Sequence, residues 1–178
     1  MTPVDTERLH LRPHQPGDAG WLYRLYSNPE VARYLLDEPW TAELTARRLA
    51  ERLSRTDLDG EEGALALVVE YERTPVGDVQ LWFTDRARRV AEIGWVLDPA
   101  HGGRGLATEA VGAVLALAFE HAQLHRVVAM MDARNTPSAR LARRVGMSQE
   151  AHLRQAWWSK GEWNDTLIFA MLAADRTG

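Results

Sequence analysis

Polar and apolar residues alternate through Arg8-Leu9-His10-Leu11-Arg12, the period of a strand with one buried face. Asp18 stands where a helix N-cap belongs, ahead of Trp21, Leu22 and Leu25, and Pro29 stops that helix near Ser27. Thr41 is placed to cap a second helix carrying Ala46, Leu49, Ala50 and Leu53 on one face. The acidic stretch Asp57 to Glu62 reads as a loop. Three strand-like runs follow, Ala64 to Tyr71, Val76 to Phe83 and Val90 to Leu97, with connections short enough for an antiparallel meander. Pro99 ends the third, and the glycine-rich segment His101 to Ala107 opens a helix that runs to about His121. Arg126 to Asp132 is the next strand. Thr136 and Pro137 suit the N-cap and first position of another helix, which Gly146 stops. Two strands, roughly Met147 to Gln155 and Asp165 to Leu172, close the pattern.

Antiparallel strands come first and a strand-helix-strand unit later, which predicts an α+β fold with the C-terminal helices on one face of a mixed sheet. A length of 178 residues with no repeat or linker predicts a single domain, 1–178. A net charge of -4 argues against a broad polyanion-binding surface, so no nucleic-acid partner is expected. The absence of cysteine excludes disulfides, thiolate metal sites and a cysteine nucleophile. The longest apolar run, Ala110 to Phe119, is about half of what a membrane span needs. With no signal-like segment at Met1 to Asp5, the expectation is a cytoplasmic protein without a membrane partner.

The chemistry concentrates in the segment from Glu92 to Ala110, where a strand meets Gly102, Gly103 and Gly105 and a helix opens at once. Glycines let successive N–H groups turn into one concavity, and a helix start adds free donors and partial positive charge. Such a turn suits a phosphate or pyrophosphate, although a bare strand-to-helix turn would use the same glycines. The dinucleotide fingerprint fails, because counting from Gly103 its third glycine falls on Thr108. The P-loop fails for want of its Gly-Lys-Ser/Thr end. His121 and His125 have the i,i+4 spacing of a zinc helix without its glutamate, and no metal is expected.

The turn is similar to motif A of the GCN5-related N-acetyltransferases (GNAT), Gln/Arg-x-x-Gly-x-Gly/Ala, with Gly105-Leu106-Ala107 in the last three places. The stretch from Gly103 to Ala110 resembles the RimJ/RimL-type branch. Three further segments resemble the family in order: Thr6 to Pro13 its opening strand, Asn135-Thr-Pro-Ser138 its motif B helix start, and Lys160 to Leu167 the branch's C-terminal hairpin. One departure stands in motif A, where Gly102 occupies the Gln/Arg position and Arg104 is the candidate replacement cation.

The resemblance implies the GNAT fold, a mostly antiparallel sheet of about seven strands with helices on both faces. It implies transfer of an acetyl group from acetyl-CoA to a primary amine, by direct attack in a ternary complex, in a monomer or homodimer. Pantetheine would lie along Trp95, Val96 and Leu97. The pyrophosphate would sit on the amides of Gly103, Arg104, Gly105, Leu106, Ala107 and Thr108, with Asn135 and Ser138 across the cofactor. Ser138, taken as the second residue of its helix, is the candidate acid for the leaving thiolate, and Glu92 the candidate base. Phe169 stands where relatives often carry a tyrosine, Met130 where some carry a glutamate, and Asp132 lies one pleat away from it. Glu109, in the first helix turn, suits the macrodipole. Trp157, Trp158 and Trp163 fit hairpin packing near the acceptor side, and Asp37, Glu38 and the 57–62 loop offer negative charge to a cationic acceptor. The acceptor implied is a peptide N-terminus or a small-molecule amine, including amino sugars and amino-acid-like toxins. A non-catalytic acyl-CoA-binding module on the same scaffold is the alternative, with a flavin or nucleotide binder behind it.

Overall fold

In the computed structural model, which describes residues 3–176, the chain runs through strands β1 (Val4–Asp5) and β2 (Leu9–Pro13), then helices α1 (Ala19–Tyr26), α2 (Pro29–Ala32) and α3 (Ala42–Ser54). Strands β3 (Thr56–Asp57), β4 (Ala64–Tyr71), β5 (Thr74–Asp85) and β6 (Val90–Leu97) precede helix α4 (Leu106–Ala116). A π-helical turn over Leu117–His121 extends α4; then come β7 (Arg126–Asp132), α5 (Thr136–Arg144), β8 (Ser148–Ser159) and β9 (Glu162–Leu172). All strands join one nine-stranded sheet in the order β1-β2-β4-β5-β6-β7-β9-β8, with β3 on β4. The two strands beyond the expected seven, β1 and β3, are two residues each, too short to leave a periodic signal.

Alternation along β4 explains the layers. Leu65, Leu67 and Val69 point into a core closed by Leu106, Ala110, Val111 and Val114 of α4 and by Ala139, Leu141 and Ala142 of α5. Val68 points the other way, into a smaller core of Trp21, Leu22 and Leu25 on α1, Leu49 on α3 and Trp40. Helices therefore pack on both faces. The second face is covered only in part, and β8 is exposed along most of its length.

Two helix details depart from the sequence pattern. Asp18 makes no side-chain cap on α1. Its carboxylate instead accepts from the Gln15 amide (2.7 Å), the Trp21 indole (2.8 Å) and the Arg12 guanidinium (2.9 Å). Thr41 does cap α3, accepting from the Leu44 amide at 3.1 Å, but of the expected apolar face only Leu49 is buried. Ala46, Ala50 and Leu53 face solvent, while Thr45 and Arg52 turn inward. The reason is a pairing across the sheet. Arg52 donates to Asp78 of β5 at 2.9 Å and to the Tyr26 hydroxyl at 3.2 Å, and its guanidinium lies over the Trp40 ring. A buried cation is tolerated when so fully paired.

The site is opened by one change of direction. Strands β6 and β7 form the parallel pair of the sheet, and they pair only at Val90 with Arg126, Ala91 with Val127 and Glu92 with Val128. Past Glu92, β6 stays on β5 as far as Leu97 opposite Gly77. Past Val128, β7 stays on β9 as far as Asp132 opposite Thr166. Each strand keeps its outer neighbour and loses the inner one, leaving a wedge in the middle of the sheet.

Candidate active site

Leu97 leads through a short turn, in which the Asp98 carboxylate accepts from the Ala100 amide at 2.9 Å, into the glycine-rich segment. Gly103 and Gly105 have φ of +74° and +77°, a left-handed backbone that costs an L side chain about 1–2 kcal/mol. Gly105 is also the N-cap of α4, with no side chain to satisfy the helix donors. Among the described residues no acceptor faces the amides of Gly103 through Thr108. Six consecutive N–H groups thus stand without an acceptor at the positive end of α4, beside the wedge, donors and partial charge that suit a phosphate.

The expected cation at this turn, Arg104, is paired with a side chain of β4, and two further arginines stand nearby. Arg104 reaches away to Tyr71, lying 4.5 Å over its ring and donating to its hydroxyl at 2.8 Å. Arg144, near the end of α5, instead donates to the Thr108 hydroxyl at 3.3 Å, and Arg8 lies 3.5 Å from where a Gly105 β-carbon would stand. Neither carried a signal in its local sequence, since both come from elements remote in the chain. Glu109 does more than meet the helix dipole. Its carboxylate accepts from the Thr6 hydroxyl (2.6 Å), the Arg8 amide (2.8 Å) and the Arg8 guanidinium (2.7 Å), tying the first strands to α4, and these donors hold its pKa down against burial.

Across the wedge, α5 starts one residue earlier than expected. Asn135 is the N-cap, its side-chain oxygen accepting from the Ser138 amide at 3.1 Å, so Ser138 is the third helical residue. Ser138 is half-buried and its hydroxyl oxygen accepts from the Trp95 indole N–H at 3.3 Å. That bond spans the wedge from β6 to α5. Helix α5 ends in two reverse bonds, Met147 N–H to Ala142 and Gly146 N–H to Arg143, which close its last turn.

Glu92 lies on the other face. Along β6, Ala91 and Ile93 enter the core under α4 and α5, with Trp95 and Leu97 packed against it, whereas Val96 packs toward the α1 side. Glu92 shares the parity of Val96 and pairs across β5 with Trp82. It is half-buried, and desolvation alone raises its pKa. Ser138 and Glu92 therefore stand on opposite faces, with the wedge between them.

Two of the other acidic candidates are engaged, whereas Glu38, Glu61 and Glu62 are exposed. Asp132 takes the Arg134 amide at 2.8 Å and the Arg134 guanidinium at 2.7 Å, and these lower its pKa despite burial. Asp37 pairs with Arg48 at 2.9 Å. Phe169 is fully buried in the main core. Trp158 and Trp163 meet edge to face at 5.4 Å across the hairpin, yet both are exposed, as is Trp157. The hairpin tip docks on the end of α2 and the segment after it: Ser159 donates to the Leu36 carbonyl at 3.1 Å and Lys160 to that of Ala32. His121 ends the π turn, and Gln123, with φ of +48°, separates it from His125, so the pair shares no helix face.

The family model described as "Acetyltransferase (GNAT) domain" matches residues 8–148. An uncharacterized N-acetyltransferase, p20 of Bacillus licheniformis, is 30% identical over 178 residues, covering 100% of both chains. The spermidine N(1)-acetyltransferase of Escherichia coli is 25% identical, covering 89% of this chain and 83% of its own. Among solved structures, a GNAT-family acetyltransferase from Bacillus anthracis superposes with a TM-score of 0.86 at 26% identity, over 97% of this chain and 99% of that one.

Proposed function

Because the chain belongs to the GNAT acetyltransferase family, we propose that the wedge binds acetyl-CoA and that residues 1–178 act as one domain, transferring its acetyl group to a primary amine. The observation that carries this reading is the row of unsatisfied amides from Gly103 to Thr108 beside strands that have parted. The pyrophosphate is assigned to those amides, with Arg144 as its added cation. Pantetheine is assigned to the freed inner edge of Trp95, Val96 and Leu97, and the Asn135 side-chain amide faces it from α5. No metal takes part in this scheme.

In the transfer step the neutral amine nitrogen adds to the thioester carbon. A β6 amide in the 95–97 segment stabilises the oxyanion, and collapse of the adduct sends the C–S electron pair to sulfur. Ser138 protonates that sulfur. The proton lost by nitrogen goes to Glu92, whose pKa burial has raised toward the range useful for a base. Placing acid and base on opposite faces lets cofactor and amine meet in a ternary complex, each entering from its own side.

The acceptor we assign is a peptide N-terminal α-amine or a small-molecule amine, and the motif resemblance to the RimJ/RimL-type branch supports it. An α-amine, with a pKa of about 7.7–8.0, is neutral several hundred times more often at pH 7 than a lysine amine near 10.4. That spares about 3.5 kcal/mol of deprotonation, which suits a site whose only partly buried free carboxylate on β6 is Glu92. The cytoplasm, which holds acetyl-CoA, is where this reading places the enzyme. A panel of free peptides, N-terminally blocked lysine peptides, amino sugars and spermidine tests it. The α-amines are expected to lead in kcat/KM, and a lead for the blocked lysine peptides would overturn the assignment.

A further inference from the structure

Trp95 contributes more than backbone to the wedge. Its indole ring packs against the main core on the α5 side of β6, and its N–H reaches the Ser138 hydroxyl oxygen at 3.3 Å. An indole nitrogen is a donor only, so the direction of this bond is fixed: it occupies a lone pair of Ser138 and cannot take the hydroxyl hydrogen. Among the described residues none accepts that hydrogen. A serine in the first turn of a helix otherwise tends to turn back to a nearby carbonyl. The indole holds the oxygen facing β6 instead, with its proton available to whatever occupies the wedge.

Resting on the acyl-transfer reading, we propose that Trp95 is a positioning residue that orients Ser138 as a proton donor and stabilises the charge that proton transfer leaves on its oxygen. As the C–S bond breaks, the Ser138 O–H bond breaks and an S–H bond forms. The serine oxygen carries negative charge until solvent water reprotonates it, while Glu92 releases to solvent the proton it took from the attacking nitrogen, so that the net transfer is one proton from nitrogen to sulfur. During that interval the Trp95 N–H faces an anion rather than a neutral hydroxyl, and a hydrogen bond to a charged group is about twice as strong. The bond is thus stronger in the transition state than in the resting enzyme, the condition for raising kcat.

Four enzymes test this: wild type, Ser138→Ala, Trp95→Phe, and the Trp95→Phe/Ser138→Ala double variant. A fifth carries 3-benzothienylalanine at position 95, which keeps the indole shape and loses only the N–H. Trp95→Phe and the isosteric analogue are expected to lose about tenfold or more in kcat, the effect of one charge-assisted hydrogen bond, with KM for acetyl-CoA nearly unchanged. In the Ser138→Ala background, Trp95→Phe should cost nothing further. A slow Ser138→Ala enzyme beside an analogue with wild-type turnover, or losses that multiply in the double variant, would overturn the role of Trp95 alone. A Ser138→Ala enzyme with normal turnover would overturn the acid assignment and this proposal with it.

Discussion

Gly77 on β5 lies so close to Leu97 on β6 that a β-carbon at Gly77 would stand 2.8 Å from the Leu97 α-carbon and 2.3 Å from the Val96 carbonyl oxygen. The end of β6 leans onto β5 at this point, while Asp98 donates its amide to Val76 at 2.8 Å. The end of β6 is thus held on β5, on the side away from β7.

Gly77→Ala is therefore expected to destabilise the fold by about 1–3 kcal/mol and to weaken acetyl-CoA binding as the β6 end shifts into the wedge. Urea denaturation and calorimetry read the two effects. Unchanged stability and affinity would show that the approach is incidental.

Gly105→Glu sets a carboxylate, and a side chain strained at φ +77°, where the phosphates are assigned. The fold should survive by circular dichroism, while acetyl-CoA affinity drops about a hundredfold or more. Wild-type affinity would move the phosphate site elsewhere.

Glu92→Gln separates catalysis from folding by sign. Burial raises the Glu92 pKa, so its folded value lies above its unfolded one. The stabilisation it contributes is full below the unfolded pKa and disappears as pH rises through the folded one. At neutral pH the charged Glu92 is a burden, and Glu92→Gln should be as stable as wild type or more so. Its kcat should still fall by about ten- to ten-thousand-fold, and the acid limb of log(kcat/KM) should lose one unit of slope. An active Glu92→Gln enzyme with the wild-type limb would remove Glu92 from the chemistry.

His14 makes stability depend on pH far from the wedge. Its ring is buried with neither nitrogen hydrogen-bonded, 3.7 Å from Asp78 and 4.0 Å from Asp18, with Arg12 and Arg52 also facing it. Desolvation outweighs the two carboxylates and lowers its pKa from 6.5 to about 4. Between those values the unfolded chain binds the proton and the folded one does not. Stability is full above about pH 6.5 and is lost as pH falls toward 4, by about 3 kcal/mol. His14→Phe should flatten urea midpoints across that window; an unchanged slope would contradict the assignment.

Much of this architecture was legible in the sequence where one element carries its own signal. The ranges of β4, β6 and β7 follow from apolar runs bounded by polar turns, and Pro99 and the glycines mark the strand-to-helix turn. What escaped depends on partners far along the chain. Arg52 looks like a solvent-facing residue until Asp78 and Tyr26 are beside it. Glu109 reads as a dipole partner until Thr6 and Arg8 reach it. Arg144 and the Trp95 indole join the site only because α5 folds over α4 and β6. The α5 boundary slipped by one residue because Asn135 and Thr136 are both good caps, and the backbone alone chooses between them.

The reaction assigned to the wedge moves an acetyl group from acetyl-CoA to an amine. Mass spectrometry of a free α-amino peptide incubated with acetyl-CoA and the protein, with CoA thiol followed in parallel, tests it most directly. The expected result is the mass gain of one acetyl group on the N-terminus and one equivalent of CoA released per amide formed. Acetyl-CoA that binds tightly but is never consumed with any amine of the panel would contradict it and leave a non-catalytic acyl-CoA-binding protein.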